Sequence, residues 1–325
     1  MVNGYQRTVA DHDLARVRVD LDRSFPGEVG MRSVMTGSST LGVGDFGPLL
    51  PVDLPSHRTE YYSAGPGIES AGQFSGSSPD GAASADSTPE YPVAYQPGVT
   101  YHERWNAGVF APSLPTRTAL GMSAGITRTG DQLQVDVPLY GDGAGRPGDT
   151  SGSTSAATLY RDGTQIASAD GNRGLALPMP DGNGSYRLEL HAERGAPFVL
   201  STTTDIAWTF GSAPTNGPTA LPLWTVRFSP SLDDDDSAPA GRVVAVPVAA
   251  IPQAGAPVGK LTKLTVEASV DDGATWKAVR VSNGAALVPD PGGSGFVSLR
   301  ATAADSRGNT VTLTVIHAYG YGRAA

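Results

Sequence analysis

The sequence predicts an all-β protein built of tandem β-sandwich domains, and three observations carry that prediction. First, 41 glycines and 26 prolines make up about a fifth of the 325 residues, and these are the two worst residues for a helix interior. Second, the apolar residues recur with period two, as in Arg16-Val17-Arg18-Val19-Asp20-Leu21, which is the pattern of a half-buried strand. Third, Asp-Gly and Asn-Gly turn signals sit between the alternating runs, where hairpins reverse.

Taken in order, residues 1–115 read as an irregular β-rich segment. Arg16–Leu21 is its clearest strand, and Ser63–Pro89, rich in Gly, Ser, Ala, Asp and Pro, reads as a linker over 63–89. Residues 116–212 read as a β-sandwich. Gln132–Val137 and Tyr186–Leu190 alternate, and Arg161-Asp162-Gly163-Thr164 and Asp181-Gly182-Asn183-Gly184 supply turns. Aspartate and asparagine tolerate the left-handed backbone that such turns need, and glycine adopts it freely. Gly141–Ala157 reads as a long glycine-rich loop, and Gly211–Pro218 as an interdomain joint.

Residues 219–322 are the most regular. Leu223–Phe228, Gly241–Ala249, Leu264–Val270, Trp276–Val281, Gly295–Ala303 and Thr310–Ala318 are successive strands. The turns Asp271–Thr275 and Asp305–Asn309 join two of the pairs. Short strands at such spacing predict a sandwich of immunoglobulin or fibronectin type III kind.

Charge and composition exclude several functions. The net charge is −9, so the basic footprint of a nucleic-acid binder is missing. No cysteine is present, which removes disulfides, thiol catalysis and thiolate zinc sites. No run approaches the roughly 18 apolar residues of a membrane-spanning helix. Met1–Arg7 has no apolar stretch of signal-peptide type; the expectation is a piece of a longer secreted protein.

Several motifs touch on catalysis or binding. Gly121-Met122-Ser123-Ala124-Gly125 fits the G-x-S-x-G nucleophile elbow, which requires a strand–turn–helix with Ser123 at its apex. Ile126–Val137 alternates, so a turn between strands is expected, with His191 and His317 the histidines downstream. His102-Glu103-Arg104-Trp105-Asn106 begins like a zinc helix, but the second ligand position holds Asn106 and Pro97-Gly98 precede it. An extended segment packing Tyr101, Trp105 and Phe110 is expected instead. Asp233–Asp236, with Asp142, Asp149, Asp181 and Asn183, could hold only a hard cation such as calcium; adjacent like charges point to a solvated loop between strands. Trp208, Trp224 and Trp276, with Tyr160 and Tyr186, invite a carbohydrate-binding reading, although core packing is the commoner fate of a tryptophan in an alternating strand. No residue is assigned a catalytic, cofactor-binding or metal-ligating role.

Val270-Asp271-Asp272-Gly273-Ala274-Thr275-Trp276, Val297-Ser298-Leu299-Arg300-Ala301 and Ala304–Thr310 resemble a sandwich common in secreted bacterial proteins. Upstream, Asp53–Tyr62, Tyr95–Phe110, Ala157–Gly163, Leu200–Thr202, Ala207–Phe210, Arg227–Asp233 and Ala238–Gly241 resemble the accessory region of secreted actinobacterial subtilisin-like serine peptidases. The resemblance runs from about Asp53 to Tyr319. The family's triad motifs are absent: no His-Gly-Thr and no Gly-Thr-Ser occurs, the five histidines being followed by Asp13, Arg58, Glu103, Ala192 and Ala318.

The resemblance therefore implies a non-catalytic, extracellular accessory region that stabilises or positions a peptidase domain lying outside this chain, with that domain or a cell-surface polymer as partner. The competing readings are a stand-alone glycan or cell-wall binding module, and a serine hydrolase using Ser123.

Overall fold

The computed structural model describes residues 8–38, 47–87, 92–116 and 125–322. Among them no α-helix occurs; strands and turns account for the fold, with one 3-10 turn at Asp11–Asp13.

The N-terminal unit contains β1 (Leu14–Leu21), β2 (Val29–Ser38), β3 (Leu50–Val52), β4 (Ser56–Ser63), β5 (Ile68–Ser77), β6 (Ser84–Ser87) and β7 (Thr100–Trp105). β1 pairs antiparallel with β4 and parallel with β7. Its alternate residues Ala15, Val17, Val19 and Leu21 are all fully buried, as the period of two demands. They meet Phe74 and Trp105 in a core of their own. The segment is thus more regular than its composition suggested.

The supposed linker over 63–89 is corrected by the structure: it carries β5 and β6. β5 pairs with β2 along ten residues. Its inward positions are Ser70, Gly72, Phe74 and Gly76 because the space opposite is taken by large polar side chains. A Cβ on Gly72 would lie 2.6 Å from Arg32 Nη1 and 2.8 Å from Trp105 Cζ2, and one on Gly76 would collide with the Glu28 carboxyl. Low complexity here marks a strand made small to fit an unusual core.

The middle unit contains β8 (Gly125–Thr129), β9 (Gln132–Asp136), β10 (Gly148–Thr150), β11 (Thr154–Arg161), β12 (Thr164–Asp170), β13 (Leu175–Pro178), β14 (Gly184–Glu193), β15 (Thr203–Ser212) and β16 (Thr219–Ala220). Two sheets, β13-β9-β8-β16 and β12-β11-β14-β15, make the sandwich. The glycine-rich stretch 141–157 is not simply a loop. β10 leaves the middle unit and pairs with β6, completing the order β10-β6-β5-β2-β3 in the N-terminal sheet. The stretch 211–218 is likewise tied down: the Gly130 amide donates to the Thr215 carbonyl over 3.0 Å, and Thr215 Oγ1 donates to Arg128 O over 2.9 Å.

The last unit contains β17 (Trp224–Phe228), β18 (Ser237–Ala238), β19 (Val243–Pro252), β20 (Leu261–Ser269), β21 (Lys277–Ser282), β22 (Ala285–Pro289), β23 (Gly295–Asp305) and β24 (Thr310–Tyr321). Six of these strands fall on the runs expected from the sequence, whereas β18 and β22 were not expected. β24 pairs antiparallel with β15, from Thr203 opposite Ile316 to Thr209 opposite Thr310. The sheet therefore crosses from the middle unit into the last as β12-β11-β14-β15-β24-β23-β20, and one apolar cluster runs from Val109 to Tyr321 beneath it.

Candidate functional site

A group of paired polar side chains lies where the N-terminal unit meets the loop between β17 and β18, at Asp233–Asp236. Expected as a solvated loop, it is corrected by the structure to a docked one. Asp233 builds it: its Oδ1 accepts from the Asp235 and Ser237 amides at 3.1 and 2.8 Å, the Asx turn that aspartate favours. The turn leaves Asp236 at φ +54° and fully buried.

Residues at the ends of β1, β4 and β7 then grip the loop. Arg104, just before the end of β7, donates Nη1 to Leu232 O and Nη2 to Asp233 O, both at 2.7 Å, while its Nε meets Asp22 Oδ2 at 2.7 Å. Arg23 donates to Asp235 Oδ1 at 2.6 Å. His57 on β4 bridges Asp20 Oδ1 at 2.8 Å and Asp234 Oδ2 at 3.0 Å; the hydrogen bonds to these two carboxylates hold its imidazolium pKa above the ordinary histidine value. Asp236 Oδ1 accepts from the Gly108 amide at 2.7 Å.

Behind this grip lie three buried acids. Glu28 Oε2 accepts from the Ser24 amide at 2.6 Å and from Ser24 Oγ at 3.1 Å, and Asn106 Nδ2 reaches both Glu28 oxygens at 3.2 Å. Burial pushes Glu28 up to about 7 against those donors. It pushes Asp22 up to about 7 against the pull of Arg104, and raises Asp236 well above the usual carboxylate range. Removing a charged oxygen from water costs more than these donors return. Arg194, also buried, lies over the Tyr140, Phe198 and Phe110 rings and donates to Leu200 O. Phe25 of the N-terminal unit meets Phe198 edge to face, with centroids 5.0 Å apart.

Chemically the arrangement is a fastening. Its donors are spent on backbone carbonyls and carboxylates of the opposite unit and on Asp20 and Asp22 of their own.

The other sequence candidates separate into distinct places. Ser123 lies outside the described residues, and Gly125 opens β8. His102 stands on β7, an extended segment, with Trp105 and Phe110 buried and Tyr101 packed against the N-terminal core. The Trp105 ring carries two guanidinium groups, Arg32 at 4.3 Å and Arg146 at 3.7 Å. Asp142 accepts from Arg146 at 2.8 Å, Asp149 pairs with Arg173 at 2.6 Å, and the Asp181 and Asn183 carbonyls accept from Arg161. Among the described residues, no three His, Asp or Glu side chains converge as a metal-binding group. His191 pairs with Asp205 at 2.7 Å and His317 with Asp272 at 2.8 Å. Trp208, Trp224 and Tyr186 are core residues, whereas Trp276 and Tyr160 remain half-buried.

Sequence reasoning missed Arg32, Arg104, Glu28, Asp22 and Gln253 as organising residues. Gln253 lies buried after β19 and mimics a strand, accepting from the Ile126 amide at 2.7 Å and donating to Ile126 O at 2.8 Å. The one available signal was the run of small residues in β5, which implied something large opposite.

No family model and no curated protein matches this chain. Among solved structures the chain is similar to the FN1–FN3 domains of chicken CNTN1 at 12% identity and a TM-score of 0.18, over 92% of this chain and 99% of that one. It is also similar to the three N-terminal domains of the bacteriophage RB49 highly immunogenic outer capsid protein, Hoc, at 9% identity and a TM-score of 0.18, over 93% of this chain and 95% of that one. The all-β sandwich class rests on the strands and registers described above.

Proposed function

We propose that this chain is a non-catalytic β-sandwich region that works beside the catalytic domain of an extracellular subtilisin-like serine peptidase, stabilising or positioning it. The observation that supports this reading is the fastening at Asp233–Asp236. Arg104 and Arg23 lock the N-terminal unit to the loop after β17, and the β15–β24 pairing locks the middle unit to the last. A body joined at both seams holds whatever is attached to it at a fixed distance, which is what a positioning region requires. Sandwiches suit that work because their backbone bonds close internally while their end loops stay free to vary.

The test mixes the purified chain with the catalytic domain of an actinobacterial subtilisin-like peptidase and follows casein hydrolysis during heating. Binding of the native domain should lengthen its inactivation half-life by about twofold or more, with co-elution in gel filtration. An unchanged half-life without co-elution removes the reading. Labelling of the chain alone by a fluorophosphonate, lost in Ser123→Ala, would replace it with the hydrolase reading.

A further inference from the structure

The outward face of the shared sheet carries a groove that the fastening does not use. Across it the registers align His191 on β14, Asp205 on β15, Thr314 on β24, Arg300 on β23 and Glu267 on β20. The adjacent row aligns Glu189, Ala207, Thr312 and Thr302. The long side chains stand on β14 and β23, while β15 and β24 between them present short ones. A trough of about 330 Å³ follows, floored by Ala207, Thr312 and Thr314 and walled on one side by Arg187, Glu189 and His191. One strand beyond Thr314, the Arg300 guanidinium lies 4.0 Å from the centroid of the Trp276 ring. At the opposite side Tyr160 on β11 stands next to Arg187. Trp276 and Tyr160, both half-buried, thus flank the same face: Tyr160 stands four strand spacings from Arg300 and four residues from its row along the strands, about 23 Å on the diagonal.

We infer that this face binds a short linear neutral oligosaccharide, stacked on Trp276 at one end and Tyr160 at the other and hydrogen-bonded between them by Asp205, His191, Arg187 and the floor threonines.

The charge pattern selects that class. Arg187 pairs with Glu189 at 2.5 Å, His191 with Asp205 at 2.7 Å and with Glu193 at 3.4 Å, and Arg300 with Glu267 at 3.6 Å. With every cation already matched, the groove offers no net positive field to a phosphate or a polyanion. A floor of hydroxyls is equally unsuited to an aliphatic ligand. Fixed planar donors and acceptors flanked by aromatic rings match a ligand whose edges are hydroxyls and whose faces are C–H. His191 and Asp205 are about half exposed, so their remaining hydrogen-bonding positions are open to such a ligand.

The inference is independent of the peptidase reading, since it concerns the isolated chain and a different face. Its test uses the intact chain with cellohexaose, xylohexaose and chitohexaose, followed by calorimetry and by tryptophan fluorescence. Three of the four tryptophans are buried, so the spectral change should report Trp276. Saturable binding of at least one hexasaccharide is expected, weakened about tenfold or more by Trp276→Ala and likewise by Asp205→Asn, with both variants melting as the parent does. No heat and no spectral change with all three sugars overturns it. So does binding that both variants retain, or tighter binding of heparin than of any neutral sugar. If one variant melts early, the other decides.

Discussion

The Trp208 indole on β15 donates its Nε1 proton to the main-chain carbonyl of Trp224 on β17 over 2.7 Å, with the Trp208 side chain wholly buried. Trp224 Nε1 in turn points to Asp305 Oδ2 at 3.3 Å. Two indoles thus connect the middle sandwich, the first strand of the last sandwich and the β23–β24 turn within one apolar cluster. Trp208→Phe keeps most of the volume and orphans the Trp224 carbonyl, at a cost of about 1–3 kcal/mol; Trp208→Ala should cost about 3–5 kcal/mol. Urea denaturation should show residues 125–322 losing structure in one transition in the parent and in Trp208→Phe. Two separated transitions in the parent would contradict a shared core.

Gln253 offers a second test of the same seam. Gln253→Leu fills the space but leaves the Ile126 amide without its partner, while the Ile126 carbonyl keeps the Leu221 amide at 3.1 Å, and Ile126 is fully buried. The expected destabilisation is about 1–3 kcal/mol for one orphaned backbone amide. A chemical melt reads it directly, and a variant as stable as the parent would mean that the pair is solvated.

Arg104 is where the N-terminal unit should come loose. Arg104→Ala deletes two bonds to loop carbonyls and strips Asp22, a fully buried carboxyl, of its counter-ion. Losing one partner of a buried pair typically costs about 3–5 kcal/mol. Limited trypsin digestion should release fragments from the first 110 or so residues while the β15–β24 body survives. Because Arg104 holds the Asp22 pKa down, its removal should hurt more at pH 8 than at pH 5. A protease pattern identical to that of the parent would refute the fastening.

The buried acids also fix how stability follows pH. Glu28 rises from 4.5 to about 7 on folding, and Asp22 from 3.8 to about 7. The folded state then binds more protons than the unfolded one between those values, so stability falls as pH rises through about 7. Asp305 and Asp271 go the other way, held down to about 2: the Asn309 side chain and the Gly259 and Arg307 amides outweigh burial at Asp305, and Ser269 and Thr275 hold Asp271. Their contribution is present above the unfolded value and lost as pH falls toward 2. The melting temperature should therefore peak near pH 4 to 5, and a maximum above pH 8 would show the three acids to be solvated. Asp290, raised to about 6 by burial with its Oδ1 accepting from Tyr319, gives a single-site version. In Asp290→Asn the fall between pH 5 and 7 should be shallower than in the parent.

Gly72→Ala tests why β5 has so little side-chain volume. The added methyl would press on Arg32 and Trp105, and overpacking of this kind costs about 1–3 kcal/mol. Gly211→Ala, with open space around it, is the matched control and should leave the melt unchanged.

Some of this was legible residue by residue. Arg16–Leu21, Tyr186–Leu190 and the strands after Leu223 alternate, and each became a strand with its apolar side inward. Alternation is a relation between residues two apart, so a local reading suffices for it. The turns at Asp162-Gly163 and Asp272-Gly273 were legible for the same reason, both taking positive φ in the structure.

Composition misled where partners were remote. The serine- and glycine-rich stretch 63–89 looked like a linker until Arg32, Trp105 and Glu28 were seen to fill the space opposite it. Asp233–Asp236 looked solvated until Arg23, His57 and Arg104 arrived from more than a hundred residues away. Five aromatic residues looked alike as candidates for a sugar platform; packing buried Trp208, Trp224 and Tyr186 and left Trp276 and Tyr160 on one face.

What the sequence by itself determined is the secondary structure of the regular units and the all-β class, because strand periodicity and turn chemistry are short-range. What only the tertiary structure decided is the β15–β24 seam, the crossing of β10 into the N-terminal sheet, the buried Asp22–Arg104 pair and the groove beside Trp276. Each depends on strands distant in the chain coming side by side, and that proximity is set by the packing of whole sheets and leaves no trace in local spacing.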